Sequence, residues 1–369
     1  MPKWLVRLAV LAVVAAAAAG GGAWWLTAEA GAPYRGFAAD EVFVDIPPGT
    51  GPRSIGARLV AAGVVKDDVT FRVALWRTGR ARELKAGEYR FTGPASAVDV
   101  VTAIADGAIY TQPVTFREGL TLDEMADVYA GAGLGSRDAF LAAARDVTLI
   151  RDLDPVATDL EGYLFPDTYP VPRQAPAPVL VGQMVRGFRA ALPPELIARA
   201  AGDGLTVRQV VTLAALVEKE TAQDAERPLV AAVYRNRHRI GMGMQADPTV
   251  IYALQKAGKW DGNLSRDDLQ FDSPYNTYRY AGLPPGPIAA PGRRALEAVV
   301  SPAAVDYLYF VSRNDGTHVF ATTLAEHNRN VFEWQVKYFR ERRARERAAA
   351  ARDRAAMARE TPAAPRPTR

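Results

Sequence analysis

Residues 206–221 read TVRQVVTLAALVEKET and predict the helix around which the rest of the chain is organised. Thr206, followed three residues later by Gln209, is typical of a capping box, in which each side chain bonds the other's backbone amide. Apolar residues recur at the spacing of one helical face, namely Val210, Leu213, Ala214 and Val217. The segment is therefore predicted to be a helix of the core.

Two glutamates near the end of this helix differ in the face they occupy. At about 100° per residue from Leu213, Val217 falls near 40° and Glu220 near −20°, whereas Glu218 falls near 140°. A carboxyl held against apolar surface has a raised pKa, because its charged form is disfavoured, and can serve as a general acid near neutral pH. Glu220 is thus predicted to be such an acid. The alternative is a frayed helix end with a solvated Glu220.

The composition excludes several classes of protein. The chain has 369 residues and a net charge of +4, but residues 341–369 hold nine Arg against four acidic residues, so the remainder carries 4 − 5 = −1. A nucleic-acid-binding body is therefore not expected. There is no cysteine, the three histidines lie in no H-E-x-x-H pattern, and no G-x-S-x-G elbow is present. No metal and no cofactor are expected.

The N-terminus carries a membrane signal. Residues 8–28 are uncharged, which is long enough to cross about 30 Å of hydrocarbon. Lys3 and Arg7 precede this run and acidic residues follow it, so residues 1–7 are predicted to stay in the cytoplasm while the rest is exported. Trp24 and Trp25 fit the outer interfacial belt. The alternative is a cleaved signal peptide, since the alanine-rich run offers A-x-A sites.

Residues 40–93 predict a small β-α-α-β module, with strands at 41–46 and 87–91. Apolar spacings mark its two helices: Ile55, Leu59 and Val60 for the first, and Val69, Val73 and Trp76 for the second. A weaker copy occupies residues 112–150, where Ala132-Gly133-Leu134 echoes Ala62-Gly63-Val64 and Phe140 stands where Phe71 stood. This similarity predicts an internal duplication.

Residues 155–340 have a different composition. The stretch 160–169, LEGYLFPDTY, combines aromatic rings with Glu161 and Asp167, a pairing that suits sugar rings but also suits an aromatic core loop. A helix at 228–240 is predicted with its arginines mostly outward, followed by Pro-rich loops at 242–249 and 273–287. A buried strand at 307–312, a strand at 317–320 and a last helix capped by Thr323 complete the region. Residues 341–369 are predicted to be a basic helix that frays into a disordered tail.

Five motifs occur in one order along this region: LEGYLFPDTYP, LVEKET, MGMQADPTVIY, SPYNTYRYAGLPPGPIAAPG and YLYFVSRNDGTHVF with EHN. In these motifs the chain resembles the endolytic murein transglycosylase family (MltG, or YceG-like), from the anchor to about Val336. The basic tail is longer than the resemblance leads us to expect.

The resemblance implies an α+β protein of the inner membrane, with a single-pass anchor, a LysM-like periplasmic module and a helical lytic-transglycosylase-like domain with a short sheet. It implies that the second Glu of E-K-E-T, which is Glu220, is the catalytic acid. The expected substrate is the peptidoglycan glycan strand, cut at the MurNAc–GlcNAc β-1,4 bond to leave a 1,6-anhydro end. Peptidoglycan synthases are implied as partners by the family alone.

A saccharide groove is expected between the end of the Glu220 helix and the two Pro-rich loops. The residues expected to line it are Gln245, Asp247, Tyr275, Asn276 and Thr277, and Glu218 is expected either to contact substrate or to lie solvated on the surface. Two other functions stay open from the residues. One is a hydrolase that pairs Glu220 with Asp247 or Asp167. The other is a catalytically silent glycan-binding scaffold.

Overall fold

The computed structural model of the chain describes residues 2–173 and 175–360. Its α-helices are α1 (Lys3–Gly31), α2 (Pro52–Ala61), α3 (Asp68–Thr78), α4 (Ala97–Asp106), α5 (Leu122–Gly131), α6 (Arg137–Ala143), α7 (Ala177–Ala191), α8 (Pro194–Gly202), α9 (Val207–Glu220), α10 (Arg227–Arg239), α11 (Asp247–Lys256), α12 (Arg293–Val300), α13 (Leu324–Val331) and α14 (Tyr338–Glu360). Its strands are β1 (Val42–Ile46), β2 (Gly87–Phe91), β3 (Gln112–Thr115), β4 (Thr168–Val171), β5 (Tyr309–Ser312) and β6 (His318–Ala321).

The strands pair as three two-stranded sheets, β1 with β2, β3 with β4 and β5 with β6. A mixture of many helices with small sheets confirms the expected α+β class in its coarse form. The chain folds into two compact units, Met1–Val114 with Tyr169–Ala175, and Thr115–Thr168 with Pro176–Arg369. The domain boundaries and domain names expected from the sequence stay predictions.

The first unit contains the predicted β-α-α-β module. β1 and β2 pair antiparallel with Val42 opposite Phe91 and Ile46 opposite Gly87, and α2, α3 and α4 cover one face of this sheet. Of the three apolar residues that marked α3, Val73 packs half-buried against the core, but Val69 and Trp76 are exposed and Phe71 is the side chain that fills the core. Spacing located this helix correctly but could not show which of its apolar residues are buried.

The second β-α-α segment, β3-α5-α6, repeats the local geometry of the first. Gly63 and Gly133 follow the ends of α2 and α5 with φ of 70° and 72°, a left-handed conformation that glycine adopts without steric cost. Phe71 and Phe140 are both fully buried on the next helix. The predicted duplication therefore has a matching backbone turn and a matching core residue in each copy.

Helix α9 lies at the centre of the second unit. Thr206 caps it through the predicted capping box with Gln209, and every side chain from Val210 to Val217 is buried. A helix that is apolar around its whole circumference must be enclosed by other elements, and here α8, α10, α11 and α12 pack on α9. This packing fixes the position of the helix end that carries Glu220.

The hairpin β5–β6 pairs Tyr309 with Ala321 and Ser312 with His318. It differs from the prediction of a buried strand at 307–312, because β5 begins at Tyr309 and is half-buried throughout. Its side chains are half-exposed because they line an open cavity. After α13, a π-helical turn at Phe332–Lys337 leads into α14, which continues to Glu360. The predicted disordered end at 361–369 lies outside the described residues.

Helix α1 is long and apolar enough to cross a membrane, and it has no buried residue in its most apolar 18-residue window. Helices α8 and α9 pass the same test only if they are counted together across a 95° bend, and α9 is a core helix. The structure is therefore compatible with one N-terminal membrane anchor.

Candidate active site

A cavity of about 410 Å³ opens beside the C-terminal end of α9 in the second unit. Helices α10, α11 and α13, the loop before α11 and the hairpin β5–β6 complete its wall. Its lining residues are Glu220, Tyr234, Arg237, Gln245, Asp247, Tyr278, Tyr309, Phe310, Val311, Ser312, His318, Leu324 and His327. Aromatic and polar side chains, including the carboxyl of Asp247, thus surround the Glu220 carboxyl at the end of the core helix.

Glu220 is the last residue of α9, one turn beyond the fully enclosed part of the helix. The Tyr234 hydroxyl on α10 donates a hydrogen bond of 2.7 Å to its Oε1. Its Oε2 takes no hydrogen bond from the residues that the structure describes. One carboxyl oxygen is therefore held in place while the other is available to a ligand in the cavity.

Burial raises the pKa of Glu220 from 4.5 to about 7, and the negative charge of Asp247 adds to this rise. The Tyr234 hydrogen bond and the positive charge of Arg237 lower the pKa, but by less. Glu220 therefore changes between its protonated and ionised forms near neutral pH. A group that must both donate and accept a proton requires such a pKa.

Asp247 opens α11 and lines the cavity, as the sequence predicted. The Tyr278 hydroxyl donates a bond of 2.6 Å to Asp247 Oδ1, and burial together with this bond raises the pKa of Tyr278. The pair connects the two Pro-rich loops that were expected to form the groove. Asp167, the other candidate partner for Glu220, is exposed and is not part of the cavity wall.

Arg237 was predicted to point outward from α10, but its side chain is buried. Its Nη1 donates to the Met244 carbonyl at 2.5 Å and its Nε to the Leu308 carbonyl at 2.6 Å. These bonds join the loop before α11 to the segment that enters β5. Burial lowers the pKa of Arg237, whose charge faces the same cavity as Glu220.

His318 at the start of β6 is held by Glu226, the residue before α10. Glu226 Oε1 accepts a hydrogen bond of 2.8 Å from the His318 backbone amide, and Glu226 Oε2 lies 2.7 Å from the Nδ1 of the same residue. A carboxylate at Nδ1 holds the proton on that nitrogen and leaves Nε2 as the second polar atom of the ring. The ring edge therefore presents a fixed polar group to the cavity.

His327 on α13 also lines the cavity, and its ring stacks on Tyr309 with centroids 5.1 Å apart. Its Nδ1 is buried without a hydrogen-bond partner among the described residues, and burial with the charge of Arg237 lowers its pKa. This nitrogen is enclosed by protein, so His327 meets the cavity through the rest of its ring and not through Nδ1.

Gln245 lines the cavity with a backbone φ of 48°, in the left-handed region that non-glycine residues avoid. Its backbone amide donates to the Thr277 carbonyl at 3.3 Å, which links the first loop to the second. Held strain of this kind is common at ligand sites. The predicted place of Gln245 in the groove agrees with its position in the wall.

The structure does not bring Glu218 into the cavity. Its side chain is only 5% exposed and accepts two bonds from Arg227 Nη1, at 2.9 and 2.8 Å, with a third from the Gly292 amide at 2.9 Å. The helical face it occupies was expected to be solvated. That expectation is wrong because the starts of α10 and α12 pack on this face of α9, where Arg227 and the Gly292 amide bury the Glu218 carboxylate.

Asn276 and Thr277 are buried and tie the second loop to neighbouring segments instead of lining the cavity. Asn276 Nδ2 donates to the carbonyls of Leu269 and Phe271, while Thr277 Oγ1 accepts the Ala246 amide. Tyr275 also lies outside the cavity wall, with its ring 4.9 Å from Tyr252. These three residues shape the loop and lie outside the wall of this cavity, and their predicted contact with glycan stays a prediction.

Glu161 is a second buried carboxyl, but it lies outside this cavity. It accepts the Leu122 backbone amide at 3.1 Å and the Tyr252 hydroxyl at 3.1 Å. Burial raises its pKa to about 8. The structure thus assigns Glu161 to the attachment of α5 to α11, one of the two roles that the sequence left open.

Sequence reasoning missed the lining residues Tyr234, Arg237, Tyr278, His318 and His327. The spacing within α10 places Tyr234 on the inward face, but nothing in that spacing indicates that its hydroxyl meets Glu220. The motif 317–320 does contain a histidine beside aromatic residues, which is the one available signal for His318. No three His, Asp or Glu side chains converge as a metal site would require within the described ranges.

The fold and the site together define a protein with one carboxyl of raised pKa, at the end of a buried helix, in a cavity of aromatic and hydroxyl groups. Comparison with known protein families identifies the family that shares this fold. The model of the YceG-like family matches residues 44–333, so the chain belongs to this family. The family expected from the five motifs is confirmed.

Relatives with assigned names agree with this membership. The chain is 32% identical over 311 residues to the endolytic murein transglycosylase of Bacillus subtilis, across 78% of this chain and 83% of that protein. It is 33% identical to the Streptococcus pneumoniae protein of the same name, but spans only 58% of its length. The expected enzyme class, a lytic transglycosylase, agrees with these names.

A solved structure is also similar. The crystal structure of a YceG-like protein from Listeria monocytogenes superposes with a TM-score of 0.53 and 28% identity, over 79% of this chain and 98% of that one. The likeness therefore extends over both compact units of the described chain.

Proposed function

We propose that this protein is a peptidoglycan lytic transglycosylase that cuts glycan strands internally, with Glu220 as its only catalytic carboxyl. The observation that carries the proposal is the Glu220 carboxyl itself, fixed by Tyr234 at one oxygen, open to the cavity at the other, and with a pKa of about 7. The names of the relatives supply the substrate class.

In the first step protonated Glu220 donates its proton to the glycosidic oxygen between MurNAc and GlcNAc. The bond from that oxygen to C1 breaks as oxocarbenium-like charge develops on the MurNAc ring. The substrate's own 2-acetamido group can stabilise this charge, so no second protein carboxylate is required. The leaving GlcNAc hydroxyl keeps the proton that Glu220 supplied.

In the second step the Glu220 carboxylate takes the proton of the MurNAc C6 hydroxyl. The C6 oxygen then forms a bond to C1, which gives a 1,6-anhydro end without water. One carboxyl serves as acid and then as base, and its pKa near neutrality suits both states. Tyr234 assists the second role, since a donated hydrogen bond stabilises the carboxylate.

The remaining lining residues fit the groove of such an enzyme. Gln245, Tyr278 and His318 present fixed polar groups, and Tyr309 and Phe310 present ring faces of the kind on which sugars stack. Helix α1 would anchor the chain in the inner membrane with residues 1–7 in the cytoplasm and the cavity outside it. In that position the substrate is nascent glycan, and cleavage could end strand growth beside its synthases.

A hydrolase remains the second candidate, because Asp247 lies in the same cavity and raises the pKa of Glu220. Asp247 as a general base would activate water and give reducing ends instead of anhydro ends. Its hydrogen bond from Tyr278 would hold the carboxylate in position for that role.

Mass spectrometry of the fragments that the full chain releases from uncrosslinked glycan distinguishes the transglycosylase from the hydrolase and from a glycan-binding scaffold. Glu220→Gln is expected to lower the yield of anhydro-ended fragments by at least about a hundredfold. Glu161→Gln is the matched control, since it changes another buried glutamate of raised pKa outside the cavity. Fragments with reducing ends that are lost in Asp247→Asn would establish the hydrolase. A Glu220→Gln protein that still supports its function in cells would establish the scaffold.

A further inference from the structure

Helix α3 in the first unit has an exposed apolar face that the proposed reaction does not use. Trp76 is 77% exposed, the largest exposed fraction among the large apolar side chains of the described residues, and Val69 is 50% exposed. The opposite side of α3 is buried in the core through Thr70, Phe71, Ala74 and Leu75. An exposed Trp and Val one above the other on a helix form a patch that favours a partner surface.

The contacts between α3 and α1 fix the position of this face. Lys66, just before α3, bonds to Glu29 at 2.5 Å, and Arg77 near the end of α3 donates to the Thr27 carbonyl at 3.2 Å. Helix α3 spans about 14 Å from Asp68 to Arg77, and Lys66 precedes it by two residues, whereas Thr27 and Glu29 are only about 3 Å apart along α1. Helix α3 therefore crosses the end of α1 at a steep angle.

The directions of side chains around α3 then define three sides. At about 100° per residue from Phe71, Arg77 points near 240° toward α1, while Trp76 points near 140° and Val69 near 160°. The α1 side thus lies between the core and the exposed patch. Where α1 stands across a bilayer, α3 runs along the bilayer surface, with the core on the water side and the patch on the lipid side.

The position along α1 at which α3 makes contact agrees with this orientation. The Arg77 guanidinium bonds the Thr27 carbonyl and lies beside Gly31, so α3 meets α1 about 3 to 9 Å beyond Trp25. Trp24 and Trp25 are exposed and sit where an aromatic belt meets the headgroups. Helix α3 is therefore at the depth at which amphipathic helices bury an apolar face.

We propose that α3 is a second membrane contact, in which Val69 and Trp76 insert at the headgroup–acyl boundary of a phospholipid surface. Arg72 lies on the same side of the helix with its side chain 72% exposed, and it contacts the exposed Asp68 at 3.9 Å. At a bilayer surface its guanidinium would exchange this long surface pair for lipid phosphate. The inference rests on the proposed role of α1 as an anchor. Its consequence is that the first unit is held against the bilayer instead of swinging from the end of α1.

The natural chain contains no cysteine, so single labels can be placed without background changes. The full chain carrying Val69→Cys, modified with a nitroxide and reconstituted in vesicles of phosphatidylethanolamine and phosphatidylglycerol, reports depth through its access to oxygen and to an aqueous nickel chelate. The label at position 69 is expected to be accessible to oxygen and protected from the chelate. Adding Trp76→Ser is expected to reduce this protection.

Two control positions separate the possible outcomes. Asp45→Cys lies on the far side of the same core, because its neighbours Val44 and Ile46 face inward, and its label should be open to the chelate. Trp24→Cys reports α1. The proposed contact of α3 would be wrong if the label at position 69 were as accessible to the chelate as the label at position 45 while the label at position 24 stayed protected. The anchor would still hold in that case. An open label at Trp24 would overturn the anchor and the inference together.

Discussion

The hydroxyl of Tyr234 lies 2.7 Å from Oε1 of Glu220 and joins α10 to the last residue of α9. This bond opposes the larger effect of burial on the same carboxyl, since it stabilises the ionised form while burial destabilises it. The pKa of about 7 is the balance of these two with the smaller effects of the Asp247, His318 and Arg237 charges. Tyr234 is therefore expected to set the pH range in which the site works.

Tyr234→Phe removes the hydroxyl and keeps the ring. The pKa of Glu220 should rise above about 7, because its carboxylate loses a donated hydrogen bond. Since the first step needs a protonated Glu220, the alkaline limb of the kcat/KM profile should move up by about one pH unit. The maximal rate should fall, because the bond also stabilises the base form.

Tyr163→Phe is the matched control for this measurement. The Tyr163 hydroxyl donates to Asp154 at 2.7 Å and is equally buried, but it lies outside the cavity. Its loss should lower stability without moving the profile. An alkaline limb that stays in place in Tyr234→Phe would show that another group controls the pH dependence.

The buried carboxyl of Glu161 predicts how stability changes with pH. Its pKa is about 8 in the folded protein against an ordinary 4.5, so between these values the folded state keeps a proton that the unfolded chain releases. The free energy of unfolding must then fall as pH rises through this window, and the favourable contribution is complete only below about pH 4.5. Glu220 acts in the same direction up to about pH 7.

Glu161→Gln should flatten this dependence, because an amide has no proton to lose. Urea unfolding at several pH values between about 5 and 8 measures the slope directly. The variant should gain stability relative to the parent chain as pH rises, by a few kcal/mol at most. Parallel slopes for the parent and the variant would show that Glu161 is ionised in the folded state.

Local sequence signals predicted the central elements well. The capping box of Thr206 and Gln209 located the start of α9, and the apolar spacing placed Glu220 beside Val217 at the helix end that opens to the cavity. Both signals depend only on residues within a few turns of each other. Helix α9 and the position of Glu220 at its end could therefore be predicted from these local signals, whereas the fold class rested on the family resemblance.

The failures share a physical cause, which is burial by distant elements. The spacing within α9 could not show that Arg227 and Gly292 enclose Glu218. Asn276 and Thr277 appeared suited to bind sugar, yet backbone groups of neighbouring segments use their polar atoms: the Leu269 carbonyl for Asn276 and the Ala246 amide for Thr277. A polar residue's type indicates what it can bond to, but the chain's long-range packing decides which partner it meets.

Gln245 has a left-handed backbone and a side chain that lines the cavity, and two substitutions can measure these two features separately. At φ 48° glycine pays no steric cost, so Gln245→Gly should be more stable than Gln245→Ala by about 1 kcal/mol. Both variants lose the amide that lines the cavity, and both should turn over glycan more slowly than the parent. Thermal unfolding of the pair together with kcat measures the two effects.

Equal stability of the two Gln245 variants would show that the left-handed conformation carries no strain. Full activity of Gln245→Ala would show that the amide does not touch the glycan. The comparison between Ala and Gly matters more than either value alone, since the lost side-chain contacts are nearly the same in both.

The ion pair of Glu218 and Arg227 gives the last prediction. Both side chains are about 5% exposed and their closest atoms are 2.8 Å apart, whereas Arg227 lies 3.4 Å from Asp224 and 3.7 Å from Glu118, which are both about half exposed. Removal of Arg227 therefore leaves Glu218 charged and buried, and removal of Glu218 takes away the closest and most buried partner of Arg227. Glu218→Gln or Arg227→Met should each cost about 3 kcal/mol of stability. The double variant Glu218→Met/Arg227→Met should recover much of this loss, because neither charge remains.

Activity separates a structural Glu218 from one that acts on the substrate. If the ion pair only supports the end of α9, Glu218→Gln assayed well below its melting temperature should keep most of its kcat, and the double variant should restore the rest. A Glu218→Gln protein with an unchanged melting temperature and a large loss of kcat would contradict this view. That result would return Glu218 to the substrate-contacting role that its position in E-K-E-T suggested, two residues before the proposed acid.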